Sequence, residues 1–419
     1  MFEQAISAMA SVVVDPYLLG LIFATTILGV IIGVLPGLGA TTGAALLLPF
    51  TLTMDPVHAI AVLATIYVSA TFAGSITAIL INTPGTSAAA ATTFDGYPLA
   101  QKGEAGRALG IAVISSTVGG IFSVIILCFA APLLARVAYE FRSPEYFALT
   151  VFGLSMLASI SAGGAVKNLI GGIFGVWLST IGAERVTGIE RFMFGNYELY
   201  EGLHFVPIFI GLFAISELLV QSKTVNKIIN TVTMKAVKLP TIEDYKKIWK
   251  TILRSCGIGT FIGVLPAEGA TVASMIGYSE ARRWSKNKKE FGKGAIEGIA
   301  GAEAANNAAT GGAMVPTMVL GIPGSGTTAI ILVGLMVHGL RPGVYLFTEQ
   351  VEKVYQIFGS MFVANVMFML MGLYAAKLFA RVSLVPTQIL WPIVFALSVI
   401  GAYAFQGQLL DVWLALIFG

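Results

Sequence analysis

Two short runs place hydroxyl side chains directly after a Pro-Gly pair within strongly apolar sequence: INTPGTSAAAATTF at Ile81–Phe94 and GIPGSGTTAII at Gly321–Ile331. Each then continues into a run able to form a helix. Serine and threonine are favoured where a helix begins, and the N–H groups and positive dipole end there bind anions. We therefore predict an anion site that holds carboxylates through N–H and hydroxyl groups. Its residues are Asn82, Thr83, Pro84, Gly85, Thr86 and Ser87 in the first run and Pro323, Gly324, Ser325, Gly326 and Thr327 in the second.

A related run comes earlier in each half of the chain: GVLPGLGAT at Gly33–Thr41 and GVLPAEGAT at Gly263–Thr271. Proline interrupts a helix, and the carbonyl groups freed beside a break in a membrane helix suit a cation such as Na⁺. We number the breaks 1 to 4 in chain order, at Pro36, Pro84, Pro266 and Pro323. Breaks 1 and 3 are predicted to frame sites for a coupling ion, Na⁺ or H⁺. The residues are Pro36, Gly37, Gly39, Thr41, Thr42, Ala267, Glu268, Gly269 and Thr271.

Polar side chains near breaks 3 and 4 add candidates, because ionisable groups inside a membrane are functional candidates by default. Glu268 lies inside break 3, where a proton or cation role and a structural hydrogen bond are both open. Asn306 and Asn307 precede break 4. They either bind substrate or hold helices together, and we favour substrate binding.

Three other acidic residues are predicted to lie away from the site. Glu297 and Glu303 are expected near a loop, in contact with water. Asp95, followed by Gly96 and Pro98, is typical of a turn.

The composition indicates a membrane environment. Of 419 residues, 56% are hydrophobic and 11% are charged, whereas soluble domains are about 25% charged. The apolar runs are about 18–28 residues long, which is typical of membrane helices and not of barrel strands. The expected fold is therefore an all-α polytopic membrane protein in contact with the lipid bilayer.

Catalytic and metal chemistry find little support in the sequence. Cys128 and Cys256 are isolated in apolar runs, the three histidines are scattered, and no HExxH or CxxC motif occurs. A Ser325–His338 pair lacks the sequence signature of a membrane protease. We expect no cofactor, no enzymatic activity and no nucleic-acid partner.

A basic segment divides the chain into two hydrophobic halves, residues 1–220 and 256–419. Residues 221–255 carry eight lysines and arginines against two acidic residues, which predicts a cytoplasmic linker by the positive-inside rule; a lipid- or partner-binding patch is the alternative. The N-terminal flank holds Glu3 and Asp15 but no basic residue, so we expect it outside. Halves that enter the membrane from opposite faces form an inverted-topology repeat, common in secondary transporters.

The lengths around break 3 favour a re-entrant hairpin. Pro266 follows Arg254 by twelve residues, about 18 Å of helix, which reaches the middle of a ~30 Å hydrocarbon layer. Twelve more residues lead to Tyr278 and then to a second basic loop, Arg282–Lys293. A hairpin leaves both basic flanks in the cytoplasm, whereas a straight span leaves only one of them there.

The second half is the shorter of the two. Its last apolar stretch, Leu409–Gly419, has eleven residues, whereas a membrane span needs about 20. We therefore expect the second half to be truncated at the C-terminus.

Four longer runs resemble one transport family. They are GVLPGLGATTGAALLLPFT at 33–51, INTPGTSAAAATTFDGYPLAQKGEAGRALG at 81–110, GVLPAEGATVASMIGYSEARRWSK at 263–286 and GIPGSGTTAIILVGLMVHGLRPG at 321–343. In these runs, and over essentially its whole length, the chain resembles the large membrane subunit of the tripartite tricarboxylate transporters, the TctA type.

This resemblance implies a multi-pass subunit of the bacterial inner membrane that forms the translocation path. A small four-helix membrane subunit would accompany it, and a periplasmic solute-binding protein would deliver di- or tricarboxylates such as citrate. Uptake would be secondary active transport, driven by an ion gradient. The resemblance also suggests an elevator-like motion, in which a domain holding the four breaks slides against a scaffold. The alternative function is an anion channel, because re-entrant loops also build filters.

Overall fold

The computed structural model describes residues 2–160, 164–184, 187–222, 239–266, 269–382, 385 and 387–419. Within these residues the regular structure is helical, apart from a short antiparallel pairing of β1 (Gly182–Ala183) with β2 (Glu190–Arg191). Six of the described helical runs are long and apolar enough to cross a bilayer. These findings confirm the predicted class, an all-α multi-pass membrane protein.

The first half alternates long helices with short helical segments. Its α-helices are α1 (Phe2–Val14), α2 (Pro16–Val34), α3 (Ala40–Thr51), α4 (Pro56–Ile81), α5 (Thr93–Leu99), α6 (Ala105–Tyr139), α7 (Ser143–Ile160), α8 (Ala165–Leu178), α9 (Phe205–Phe209) and α10 (Ser216–Ser222). A 3₁₀ turn at Ser87–Ala89 follows α4. A π-helical segment, Ile210–Ile215, joins α9 and α10 into one run, Phe205–Ser222.

The second half has a similar sequence of long and short helices. They are α11 (Ile242–Val264), α12 (Gly269–Trp284), α13 (Ile296–Leu320), α14 (Gly326–Val337), α15 (Val344–Thr348), α16 (Val351–Tyr374), α17 (Ala376–Val382), α18 (Thr387–Gln406) and α19 (Leu409–Phe418). Because α11 begins at Ile242, residues 242–255 of the predicted basic linker are helical. Residues 223–238 of that linker lie outside the described residues.

Aspartate and proline set the starts of two long helices. Asp15 is the N-cap of α2 and Asp55 that of α4, and a proline follows each of them at the start of the helix. These side chains accept N–H groups that have no partner inside the helix. The N–H groups of Leu18 and Tyr17, at 3.1 and 2.9 Å, hold the pKa of the Asp15 carboxyl below its usual value.

The four prolines singled out in the sequence all lie between helices. Break 1 is residues 35–39, between α2 and α3, and break 2 is 82–86, after α4. Break 3 includes residues 265 and 266, directly after α11, and break 4 is 321–325, between α13 and α14. Breaks 2 and 4 begin with a left-handed residue, Asn82 at φ 54° and Gly321 at φ 67°. Such a residue commonly ends a helix, and the proline after it cannot continue the helix.

The helices α4 and α13 lie at the centre of the packing, and almost all of their residues are buried. Glycines bring α2 against α4 and α11 against α13. A Cβ on Gly33 would lie 2.4 Å from the carbonyl oxygen of Ala70, and a Cβ on Gly263 would lie 2.4 Å from that of Ala309. The two glycines are 230 residues apart and the two alanines 239 apart. The same backbone contact, which a glycine makes possible, therefore occurs once in each half.

Candidate functional site

Break 1 meets break 4 through hydroxyl groups at the starts of two helices. Thr41 Oγ1, in the first turn of α3, lies 2.8 Å from Thr327 Oγ1, in the first turn of α14. The neighbouring Thr42 donates a hydrogen bond of 3.0 Å to the carbonyl of Phe213, in the π-helical segment. The N-termini of α3 and α14, one from each half, are thus in contact.

Break 3 meets break 2 in a similar way. Thr271 Oγ1, in the first turn of α12, donates to Ser87 Oγ over 2.9 Å, and Ser87 begins the 3₁₀ turn after break 2. Thr271 follows Thr41 by 230 residues, so threonines at matching positions make the two contacts. The first turns of α3 and α12 therefore each contact the segment directly after a break of the opposite half.

Within each half, the Pro-Gly pair of one break lies against the helix that ends at the other. A Cβ on Gly85 would lie 2.0 Å from the carbonyl oxygen of Gly33, and a Cβ on Gly324 would lie 2.9 Å from that of Gly263. Only glycine allows the backbones to approach so closely. Together with the two hydroxyl pairs, these contacts bring all four breaks into one region of the molecule.

The two central helices each reach the break of the opposite half. From α4, the Tyr67 hydroxyl accepts a hydrogen bond of 3.3 Å from Ser325 Oγ in break 4. From α13, Asn306 Nδ2 donates over 3.3 Å to the carbonyl of Ala88, just after break 2. Tyr67 and Asn306 are 239 residues apart, the same spacing that separates Pro84 from Pro323. Side chains at matching positions thus hold the two breaks in place.

The first turn of α14 is closed by a capping box. Ser325 Oγ accepts the N–H of Thr328 at 3.2 Å, and Thr328 Oγ1 accepts the N–H of Ser325 at 2.9 Å. These bonds do not use the N–H groups of Gly326 and Thr327. The adjacent α3 begins after Gly39 with no side-chain cap. Two helix N-termini with uncapped N–H groups at one place favour a bound anion.

The prediction of a helix directly after break 2 is wrong. Thr86 makes no side-chain cap bond, Ser87–Ala89 is a single 3₁₀ turn, and α5 begins only at Thr93. The alanines after Ser87 favour a helix intrinsically, but the carbonyl of Ala88 accepts from Asn306 of α13 instead. Tertiary contacts override local propensity here. Break 4 is therefore followed by an α-helix, whereas break 2 is followed by a 3₁₀ turn.

Three predicted binding residues carry buried polar atoms without a hydrogen-bond partner among the described residues: Thr86 Oγ1, Asn306 Oδ1 and Asn307 Oδ1. Thr86 is 7% exposed and both asparagines are fully buried. Asn307 uses its Nδ2 to donate to the carbonyl of Val68 on α4, over 3.3 Å. Buried polar atoms are nearly always satisfied, so these atoms are suited to contact a ligand or water.

Glu303 was predicted to be solvated, and that prediction is wrong. It is fully buried on α13, three residues before Asn306. Its Oε1 accepts a hydrogen bond from Thr92 Oγ1, and its Oε2 accepts one of 2.8 Å from Ser116 Oγ on α6. The sequence did hold a signal: Glu303, Asn306 and Thr310 recur at helical spacing in a run otherwise rich in alanine and glycine.

Asp95 was predicted to belong to a turn, and that prediction is also wrong. It is fully buried within α5, and its Oδ1 accepts from the N–H groups of Gly292, Gly294 and Ala295, each over 2.8 Å. These bonds fix α5 to the loop that precedes α13. Glu297, at the loop end of α13, is partly exposed, in agreement with the prediction.

The predicted ion-site residues are only partly described. Pro36, Gly37 and Gly39 are half-buried in break 1, where Gly37 takes a left-handed φ of 89°. Ala267 and Glu268 lie outside the described residues. Among the residues that the structure describes, no group of three or more His, Cys, Asp or Glu side chains could hold a metal ion.

Comparison with known proteins decides the family. The model of the "Tripartite tricarboxylate transporter TctA family" matches residues 19–419. The chain belongs to the TctA family. This TctA protein is 38% identical over 404 residues to an uncharacterized 52.8 kDa protein of Agrobacterium vitis from the TAR-I ttuC' 3' region, covering 95% of the chain and 79% of that relative. It is 35% identical over 161 residues to an uncharacterized protein from the TAR-II ttuC' 3' region of the same organism, covering 38% of the chain and 66% of that relative. No solved structure matches the chain.

Family membership confirms the resemblance found in the sequence. As a TctA protein, the chain is a membrane subunit of a tripartite tricarboxylate transporter and functions with partner subunits. The converging breaks therefore lie within a protein whose family carries out transport.

Proposed function

We propose that this TctA protein is the translocating subunit of a secondary active importer in the bacterial inner membrane. Its substrates are di- and tricarboxylates of the citrate kind. A periplasmic solute-binding protein delivers them, and a small four-helix membrane subunit completes the complex. The observation that carries the proposal is the convergence of the four breaks, joined across the halves by the Thr41–Thr327 and Ser87–Thr271 hydroxyl pairs.

Carboxylates bind at breaks 2 and 4 in this proposal. At break 4, the N–H groups of Gly326 and Thr327 open α14, and the helix dipole adds positive potential there. At break 2, Thr86 offers a buried hydroxyl that has no other partner among the described residues. Ser325 contributes mainly by capping α14, so it positions the N–H groups that bind the substrate.

The coupling ion, Na⁺ or H⁺, binds beside breaks 1 and 3. The helices α2 and α11 end in the same way. The backbone N–H of Leu35 donates to the carbonyl of Ile32, and that of Leu265 donates to the carbonyl of Ile262. The remaining carbonyl groups at these helix ends have no helical partner, which suits them to a cation. Glu268 adds a carboxylate to break 3 in this proposal.

The two halves form inverted-topology repeats, with breaks 1 and 3 in re-entrant hairpins. Several matched contacts support this. The glycine contacts described above recur with both partners offset by 230 or 239 residues. In the turn contacts Thr271 follows Thr41 by 230 residues, and in the central-helix hydrogen bonds Asn306 follows Tyr67 by 239 residues. A pseudo-two-fold axis that exchanges the halves would place break 1 on break 3 and break 4 on break 2. The pairing of breaks 1 and 4 would then become the pairing of breaks 3 and 2. In the elevator-like motion that we propose, the unit holding the breaks slides against the outer helices.

Uptake of labelled citrate into proteoliposomes tests this function, with the membrane partner reconstituted and the binding protein supplied outside. We expect saturable uptake that requires the binding protein and stops when the Na⁺ and H⁺ gradients are collapsed. Uptake that continues without either gradient would remove the secondary active mechanism. Uptake that does not saturate and depends only on the membrane potential would indicate an anion channel instead.

A further inference from the structure

Glu303 is a fully buried carboxyl that belongs neither to the proposed substrate site nor to the proposed ion sites. A hydroxyl donates to each of its oxygens, Thr92 Oγ1 to Oε1 and Ser116 Oγ to Oε2. Ser116 belongs to α6, whereas Thr92 ends the short segment between break 2 and α5. The carboxyl therefore joins α13 and α6 to the segment directly after the proposed substrate site.

Within the part of the chain that the structure describes, Glu303 has no countercharge in contact. Among the described residues, no Lys, Arg or His side chain lies within 4.0 Å of its oxygens. Three charged groups of the neighbouring elements have partners of their own: Asp95 of α5 binds backbone N–H groups, Arg107 of α6 pairs with Asp244 of α11, and Arg283 pairs with Glu280 on α12. Arg254 of α11 lies over the Trp284 ring of α12. Tyr67 of α4, Cys256 of α11 and Tyr278 of α12 are neutral at ordinary pH. Burying an unpaired carboxylate is costly, whereas the hydroxyls of Thr92 and Ser116 stabilise its charged form, so the carboxyl can both bind and release a proton.

The packing around Glu303 suits a proton better than a metal ion. A Cβ on Gly119 of α6 would lie 2.2 Å from the carbonyl oxygen of Ala304, and a Cβ on Gly311 of α13 would lie 2.5 Å from Ser123 Oγ. The two helices are thus in close contact beside the carboxyl and further along α13. A metal ion requires several oxygens arranged around it, whereas a proton requires only one.

We propose that Glu303 is a proton-binding site of this transporter, separate from the ion sites beside breaks 1 and 3, and that it takes up and releases a coupled proton in each cycle. This inference rests on the proposed carboxylate transport and deepens it by naming the coupling residue. The proton joins a Glu303 oxygen from the outer aqueous side when the substrate binds, and it leaves for water on the inner side. Only an O–H bond forms and breaks.

One segment of chain links the proton to the substrate. Thr92 donates to Glu303, and the Ala88 carbonyl four residues earlier accepts from Asn306, next to break 2. A substrate anion at break 2 favours the neutral form of Glu303. By reciprocity, a proton on Glu303 favours binding of the anion. Binding of the two is therefore cooperative, which is what symport requires.

The first test compares Glu303→Gln with Glu297→Gln, the same change on the same helix at its partly exposed end. In proteoliposomes with the complete transporter, we expect Glu303→Gln to reduce uptake driven by an imposed proton gradient by about tenfold or more. Citrate counterflow should be retained, because exchange moves no net proton. Glu297→Gln should leave both activities unchanged. Gradient-driven uptake at the wild-type rate in Glu303→Gln would overturn the inference, as would wild-type uptake that depends on the Na⁺ gradient alone.

A second measurement uses the wild-type protein and so does not depend on whether a variant folds. Citrate is added to the purified wild-type complex in weakly buffered solution, at a pH where free citrate is fully ionised, and a dye reports the pH. We expect binding to draw protons from the solution, and Glu303→Gln, where it folds, to bind without this uptake. Citrate binding without proton uptake by the wild type would overturn the inference and leave the carboxylate site intact. Absence of citrate binding would contradict the proposed function itself.

Discussion

Two hydroxyl residues in matching positions have different tasks. Thr86 and Ser325 both come directly after a Pro-Gly pair, 239 residues apart. Ser325 caps α14, and its hydroxyl also contacts Tyr67. Thr86 caps no helix, and its buried hydroxyl has no partner among the described residues. The Ser325 hydroxyl is therefore needed for the structure of the site, whereas the Thr86 hydroxyl is available to the proposed substrate.

The variants Thr86→Val and Ser325→Ala should therefore behave differently. Thr86→Val keeps the side-chain volume and breaks no hydrogen bond, so the melting temperature should not fall. The KM for citrate should rise about tenfold or more, since a hydrogen bond to a charged ligand contributes about 1.5–3 kcal/mol. Ser325→Ala removes a helix cap and should cost about 1 kcal/mol of stability. Thermal unfolding and uptake kinetics check both, and a wild-type KM in Thr86→Val would exclude Thr86 from the substrate site.

The surroundings of the acidic residues Glu303 and Asp95 could not be predicted from neighbouring sequence. The spacing of Glu303 and Asn306 places them on one helix face, but the groups that cover this face come from far away in the chain. Thr92 and Ser116 precede Glu303 by 211 and 187 residues. Likewise, the N–H groups that bind Asp95 lie 197 to 200 residues after it. Because such contacts depend on tertiary packing, the sequence pointed to a loop for Glu303 and to a turn for Asp95.

At the scale of elements, proline and apolar length predicted the helices and the positions of their breaks. Pro36, Pro84, Pro266 and Pro323 each remove a backbone donor, and each lies between helices. The pairing of breaks across the halves could not be predicted, since it depends on how α4 and α13 pack. The 3₁₀ turn after break 2 was not predicted for the same reason. Asn306 donates to the carbonyl of Ala88, which would accept a backbone N–H if an α-helix continued there.

Close packing of the breaks predicts that Gly85→Ala is far more damaging than Gly20→Ala in α2. The added Cβ at Gly85 would lie 2.0 Å from the Gly33 carbonyl, so a backbone must move, whereas nothing lies within 4 Å of a Cβ at Gly20. Overpacking of this kind costs about 1–3 kcal/mol and displaces break 2. We expect Gly85→Ala to lose most citrate uptake and Gly20→Ala to keep it at equal membrane expression. Equal uptake by the two variants would show that breaks 1 and 2 do not pack as described.

At the scale of the whole molecule, the sequence predicted the membrane class and the family, and both are confirmed. What it could not predict is the way the halves combine. The site uses α3 with α14 and α12 with the segment after α4, so neither half contains it alone. This arrangement explains why two similar interruptions recur in one chain: each completes the other across the interface between halves.

The central claim is that the converging breaks bind a carboxylate, and an electron cryo-microscopy map of the complete transporter with citrate tests it most directly. We predict citrate density between residues 84–87 and 323–327, within hydrogen-bond distance of the N–H groups of Gly326 or Thr327. Citrate density elsewhere in the subunit would contradict the account. So would a map in which Pro36, Pro84, Pro266 and Pro323 lie inside continuous helices.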